Sequence, residues 1–219
     1  MKIFLDTADI NEIERAYETG MVKGITTNPT LIKRSGRDPV EVIKEISYRF
    51  IGFQSVSAEV VADTAEEMVN QALSFKSILE NNITIKVPCT VEGLKACRIL
   101  RTRGYEVNVT LVFSVAQAIL AEKAGAKYVS PFVGRCMDNN IDGIELIRDI
   151  SEVYGRNESN FTSVLGASLR NIRQVEQCAI AGADIVTIPP EVFWEMYNHE
   201  LTDKGLEQFQ RDWEDVVSK

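Results

Sequence analysis

The chain has 219 residues, 45% hydrophobic and 26% charged, a globular mixture that excludes disordered and fibrous classes. Its 24 basic against 32 acidic residues leave a net charge of −8, which makes nucleic acid and membrane surfaces poor partners. A single histidine, His199, and four cysteines without a CxxC pair (Cys89, Cys97, Cys136, Cys178) exclude a histidine-rich metal site and argue against a zinc or disulfide framework.

In chain order, Met1-Lys2-Ile3-Phe4-Leu5 meets Asp6 and Asp9 before a signal-peptide core can form. No later run approaches the roughly 18 apolar residues of a membrane span, and reduced thiols complete the expectation of a cytoplasmic protein. Strands are predicted at Lys2–Asp6, Val22–Thr27, Ser55–Val61, Ile83–Val87, Glu106–Val112, Lys127–Phe132, Phe161–Ala167 and Asp184–Ile188. Several read as apolar almost throughout, as buried parallel strands do.

Helix starts lie between them. Asp9 with Glu12, Asp63 with Glu66 and Ser114 with Gln117 have capping-box spacing. Met68, Ala72, Phe75 and Leu79 share one helical face. Gly20, Gly104, Gly125 and Gly182 stand where left-handed C-caps belong, and Ala-Gly-Ala at 124–126 and 181–183 repeats one helix-to-strand joint.

Eight βα units in 219 residues, about 27 each, predict a single-domain α/β (β/α)8 TIM barrel rather than a doubly wound sheet, whose phosphate loop is missing. Asp203–Lys219 is left over as a C-terminal helix with Leu206, Phe209, Trp213 and Val216-Val217 on one face. Such a helix covers the barrel or packs on another subunit. His199 reads as an exposed turn residue.

A barrel of this kind carries its site at the C-terminal strand ends. Polar residues collect there: Asp6, then Thr26 to Asn28, Glu59, Lys86, Asn108 and Thr110, Ser130 to Arg135, and Ser168 with Arg170. Burying lone polar groups costs about 1–3 kcal/mol each, so their clustering points to a site. Lys86 lies mid-strand among β-branched neighbours. Desolvation disfavours an ammonium, and the neutral amine attacks carbonyls to form Schiff bases; pairing with Glu59 or Asp6 is the structural alternative. Asp6 and Glu59 are the acidic residues at these ends and suit proton transfer, Thr110 could order a water beside Glu59, and Asn28 and Asn108 can hold hydroxyls. Arg135 and Arg170, from adjacent strands, offer two guanidinium forks to a phosphate or stand as surface ion pairs.

The segments Leu5-Asp6-Thr7-Ala8-Asp9, Gly24-Ile25-Thr26-Thr27-Asn28-Pro29, Ile85-Lys86-Val87-Pro88, Ser130-Pro131-Phe132-Val133-Gly134-Arg135 and Gly166-Ala167-Ser168-Leu169-Arg170-Asn171 resemble the transaldolase family, in its short-chain, fructose-6-phosphate aldolase-like subfamily. The likeness runs in order along essentially the whole chain. It implies Lys86 as the Schiff-base lysine, Asp6 as the acid/base of carbon–carbon cleavage, and Glu59 with Thr110 working through a water. It implies substrate contacts from Thr26, Asn28, Asn108, Ser130 and Phe132, and a phosphate site of Arg135, Ser168 and Arg170. No metal or organic cofactor is implied. Sugar phosphates are the implied substrates, and a homo-oligomer, pentamer or decamer, the implied assembly. At Glu59, Phe132 and Arg170 the aldolase carries glutamine, tyrosine and lysine, so these identities point to a transaldolase of carbohydrate metabolism, in the pentose phosphate pathway. A fructose-6-phosphate aldolase is the nearer alternative; a non-catalytic sugar-phosphate-binding barrel is the alternative of another class. Cys89, beside Pro88, has no implied role beyond filling space.

Overall fold

The computed structural model describes residues 1–76, 82–156 and 161–218; Leu79 and Lys219, both placed on helices by the sequence pattern, lie outside them. Among the described residues, eight parallel strands close into a barrel in chain order. They are β1 (Lys2–Asp6), β2 (Val22–Thr26), β3 (Ser55–Glu59), β4 (Ile83–Pro88), β5 (Glu106–Val112), β6 (Tyr128–Pro131), β7 (Ser163–Gly166) and β8 (Ile185–Ile188), and β8 pairs back on β1. Helix α1 (Ile10–Glu18) follows β1, and α2 (Pro29–Ser35) with α3 (Pro39–Arg49) follows β2. Then α4 (Ala65–Lys76), α5 (Val91–Thr102) and α6 (Val115–Lys123) follow β3, β4 and β5. After β6 come α7 (Val133–Asp138) and α8 (Gly143–Gly155), after β7 comes α9 (Ile172–Ile180), and after β8 comes α10 (Pro190–Glu195). Helix α11 (Glu200–Val217) is the extra C-terminal element of this single-domain TIM barrel.

The third, sixth and seventh strands are each shorter by two or more residues than their apolar patterns predict. The Val61 amide leaves the sheet to donate to Gln71 Oε1 at 2.8 Å, and Phe161 is 81% exposed. The strands alternate, including those that read as apolar almost throughout. Leu5, Ile25, Val56, Ile85, Val107, Val129, Val164 and Val186 pack in the main core, between sheet and helices. The intervening positions face the barrel interior and are largely polar: Thr26, Ser55, Ser57, Thr84, Lys86, Asn108, Thr110, Ser130 and Thr187, all buried. A separate apolar cluster of Phe4, Tyr128, Leu165, Ala167 and Ile185 plugs the interior. At about 25 cal/mol per Å2 the outer core supplies most of the hydrophobic stabilisation, and the polar inner face is left available for chemistry.

Local signals account for the helix ends. Asp9 accepts from the amides of Asn11 and Glu12, at 2.9 and 3.4 Å, as expected. Glu12 does not reach back; it pairs with Arg15 at 2.7 Å and accepts the Trp194 indole N–H at 3.0 Å, tying α1 to α10. The next box sits one residue later than Asp63–Glu66: the Thr64 amide donates to Glu67 Oε2, and the Glu67 amide to Thr64 Oγ1, both at 3.3 Å. Ser114 Oγ accepts from the Gln117 amide at 3.2 Å, and Gln117 Oε1 takes the Phe113 amide instead of the Ser114 one. Gly20, Gly104, Gly125 and Gly182 have φ of 69°, 82°, 85° and 98°, which a Cβ would strain. The repeated joint has one geometry: Ala126 N–H donates to Ala121 O at 3.1 Å, and Ala183 N–H to Cys178 O at 3.0 Å.

Helix α11 begins three residues before the expected boundary because His199 caps it, Nδ1 accepting the Leu201 amide at 3.2 Å. None of its described residues is buried. No described helix is long and apolar enough to cross a membrane.

Candidate active site

Lys86 projects from the middle of β4 into the barrel and is only 5% exposed. The register pairs Glu59 on β3 with Lys86, and Lys86 with Asn108 on β5, so three polar side chains stand at one level. Lys86 Nζ lies 3.0 Å from Glu59 Oε2 and donates to the Thr27 carbonyl at 3.2 Å. The pairing weighed as a structural alternative is therefore present. It does not decide between the two readings, because a carboxylate within hydrogen-bond reach of an amine serves as an ion-pair partner and can equally move its proton. A cavity of about 280 Å3 lies on the helix side of β2 and β3, lined by Thr27, Asn28, Ile32, Ile43, Glu59 and Phe75 among others; it reaches Glu59, and Lys86 is not in its lining.

Asp6 ends β1 and accepts a hydrogen bond from Thr26 Oγ1 at 2.7 Å. Burial raises its pKa above the ordinary carboxyl value. The Thr26 bond and the charge of Lys86 oppose that rise, while Glu59 and Glu191 add to it. Asp6 is thus a carboxyl that takes up a proton more readily than an exposed one.

On the opposite wall Ser130 Oγ donates to Asn108 Oδ1 at 2.7 Å. That bond fixes the amide and leaves Asn108 Nδ2, which is buried and has no protein partner among the described residues. Thr110 Oγ1 and Ser57 Oγ are likewise buried without a partner. A buried donor left unmatched costs about 1–3 kcal/mol, so three at one end of one barrel form a surface that a polyhydroxylated ligand or water would complete. Just beyond Thr110 the β5–β6 register shifts, and Leu111 adopts φ of 59°, a bulge of the kind that re-aims side chains beside active sites.

Asn28 is the N-cap of α2: its Oδ1 accepts the Leu31 amide at 3.0 Å, which leaves Nδ2 to a ligand. Phe132, between β6 and α7, stacks edge-on with Phe113 at 6.0 Å and lies under the Arg135 guanidinium at 4.9 Å. Arg135 and Arg170 are both exposed. Arg170 forms a bidentate pair with Asp138, one N···O distance being 2.7 Å, and Asp138 is held below the ordinary carboxyl value by Arg170 first and by Arg135 more weakly. Both readings of the arginines meet here: they share one positive corner, and one of them is in an ion pair. Ser168 stands at that corner with φ of 61°. The Gly134 amide donates to the Ser168 carbonyl at 3.1 Å. A Cβ on Gly134 would lie 2.1 Å from that oxygen, so the close approach of α7 to the strand-seven loop requires glycine.

With this geometry in hand, comparison with known proteins is decisive. The sequence profile described as Transaldolase/Fructose-6-phosphate aldolase matches residues 3–219. The chain belongs to this family. It is 52% identical to a probable transaldolase of Paracoccus denitrificans over 97% of this chain and 96% of the relative. It is 51% identical to one of Roseobacter denitrificans, over 100% and 99%, and 48% identical to one of Caldicellulosiruptor saccharolyticus over the full length of both. A thiamine phosphate pyrophosphorylase from Pyrococcus furiosus superposes with a TM-score of 0.59 at 17% identity, covering 86% of this chain and 85% of that one, a likeness of fold alone.

Within this transaldolase/aldolase chain, three residues at the site escape the sequence reading. Thr187, on β8, bonds to the Thr26 hydroxyl at 2.6 Å. Ser57 lies two residues before Glu59 on the same face of β3, and its period-two spacing was the available signal. Asp138 reaches Arg170 across 32 residues of sequence, a contact with no local signature. Cys89 is half-buried, with its thiol pushed up by burial, and packs against the main core as a filler.

Proposed function

We propose that the chain is a transaldolase that moves a dihydroxyacetone unit from fructose 6-phosphate or sedoheptulose 7-phosphate to erythrose 4-phosphate or glyceraldehyde 3-phosphate, in the pentose phosphate pathway. The observation that carries this reading is an enclosed lysine 3.0 Å from a carboxylate, in a barrel interior with buried donors that have no partner among the described residues. The neutral Lys86 amine adds to the ketose C2 carbonyl. Glu59, acting through a water ordered by Thr110, moves the protons that convert the adduct to an iminium with loss of water. Asp6 then takes the proton of the C4 hydroxyl as the C3–C4 bond breaks. The bond electrons reduce the iminium to a neutral enamine, and the shortened aldose phosphate leaves. An acceptor aldehyde is attacked by the enamine carbon, Asp6 returns its proton to the new alkoxide, and water releases the product from Lys86. The raised pKa of Asp6 suits a group that must both take and give this proton.

Asn28, Asn108 and Ser130 hold the hydroxyls of the three-carbon unit, Thr26 orients Asp6, and Arg135, Ser168 and Arg170 hold the phosphate, with Asp138 exchanged for it on Arg170. Phe132 supports transfer over release: its ring has no proton to give the enamine, which therefore persists until an aldehyde arrives. The free thiols suit a reducing cytoplasm. The apolar face of α11, with Phe209 and Trp213 71% and 67% exposed, suits a homo-oligomer in which this helix lies on a neighbouring subunit.

The test is glyceraldehyde 3-phosphate release from excess fructose 6-phosphate, with and without erythrose 4-phosphate. A transaldolase releases it only with the acceptor. Equal release in both identifies an aldolase, and none in either, with fructose 6-phosphate still bound, identifies a binding barrel.

A further inference from the structure

The hydroxyl chain behind Asp6 assigns a job to Thr187. Thr26 is 2% exposed and Thr187 4%, so water does not reach either hydroxyl freely. Thr26 Oγ1 lies 2.7 Å from Asp6 Oδ1 and 2.6 Å from Thr187 Oγ1, both within the range of good O–H···O bonds. A carboxylate only accepts, and Thr26 has a single hydroxyl proton. When Asp6 is ionised, Thr26 therefore donates to it, and Thr187 then donates to Thr26. Thr26 lies beside Asp6 on β2, whereas Thr187 lies on β8, so the chain spans β1 through the barrel interior.

We propose that Thr187 is a positioning residue for Asp6: by fixing the donor direction of Thr26 it reserves Oδ1 as an acceptor and leaves Oδ2 to exchange the substrate proton. This rests on the transaldolase reading, in which Asp6 takes the C4-hydroxyl proton. In that step the proton passes from the substrate oxygen to Oδ2, and the two threonine protons keep their places. Because a donated hydrogen bond favours the charged carboxylate, the chain also holds part of Asp6 in its basic form against burial. The charged groups that act on Asp6 from the surrounding elements are Lys86 on β4, Glu59 on β3 and Glu191 on α10; Thr187 is uncharged and adds no charge of its own to this set.

The experiment is the pH dependence of kcat/KM for fructose 6-phosphate, with erythrose 4-phosphate as acceptor, in the wild type and in Thr187→Val, Thr187→Ser and Thr26→Val. Cleavage needs the Asp6 carboxylate, so the acid limb reports its protonation. In Thr187→Val this limb moves to higher pH, and kcat/KM below the limb falls about two- to tenfold, the worth of one ordinary hydrogen bond. Thr26→Val moves the limb further in the same direction, and Thr187→Ser restores it. Should Thr187→Val fail to fold, Thr187→Ala is read the same way. A limb that stays in place in the folded variant, whatever its melting temperature, overturns the proposal, as does a serine that fails to restore it. Borohydride trapping of fructose 6-phosphate on each protein separates the two levels: an adduct on Lys86 with an unmoved limb removes only the role of Thr187. No adduct on the wild type removes the transaldolase reading and this role with it.

Discussion

Gly134→Ala strikes the arginine corner of the site and spares the lysine. The added methyl carbon would stand 2.1 Å from the Ser168 carbonyl oxygen and 3.1 Å from both Ser168 Oγ and Arg170 Nε. Ordinary contact distances require the two segments to part by about 1 Å or more. Ser168 already holds a left-handed conformation, at φ of 61°, and has little freedom to absorb the shift. Overpacking of this kind costs about 1–3 kcal/mol, and for a domain of this size each kcal/mol lowers the melting temperature by about 2–4 °C. The expected loss is therefore about 2–12 °C in thermal unfolding. Displacing Ser168 and Arg170 by about 1 Å from the positions that hold the phosphate should also raise KM for fructose 6-phosphate about tenfold or more. Dihydroxyacetone has no phosphate, so its borohydride adduct on Lys86 should form as in the wild type. An unchanged KM alongside a lowered melting temperature would refute the assignment of this corner to the phosphate, and an unchanged melting temperature would refute the packing argument itself.

Three further outcomes follow from the same geometry. Asp6 binds its proton more tightly folded than unfolded, so its contribution to stability is fully present below the ordinary carboxyl value of 3.8 and is lost as pH rises through its raised native value. Asp6→Asn should therefore be more stable than the wild type at neutral pH, with the gap closing as the pH falls, by urea unfolding across a pH series; parallel stability curves would contradict this. Phe132→Tyr should raise acceptor-independent release of dihydroxyacetone, read by coupled assay, and an unchanged rate would mean that no hydroxyl at this position selects between transfer and release. Trp213→Glu, with 67% of the tryptophan exposed, should leave the barrel folded and lower the assembly mass in light scattering, whereas an unchanged mass would remove α11 from the subunit contact.

The barrel was legible because its signals are local and repeat. Glycines with positive φ close helices at all four expected points, and β1 and β5 run between the residues that their patterns predict. The strand-end residues were legible too, since a lysine such as Lys86 amid β-branched neighbours is conspicuous in any strand. What the chain hides is what closure decides. Only the closed sheet makes one face of each strand an interior, so Ser57 and Thr187 read as ordinary strand polars until β8 meets β1. The turn of Thr110 depends on a bulge at Leu111, a residue whose type gives no hint of a positive φ. The capping box at Thr64 rather than Asp63 depends on which of two adjacent polar residues the helix axis selects. The Arg170 pair with Asp138 joins two loops that sequence alone leaves apart.

The central claim is that Lys86 carries the substrate as a Schiff base. Borohydride reduction in the presence of fructose 6-phosphate, followed by peptide mapping, should place one reduced three-carbon adduct on Lys86, and Lys86→Met, folded by circular dichroism, should give neither adduct nor turnover. An adduct on a different lysine, or full activity in Lys86→Met, would contradict the account.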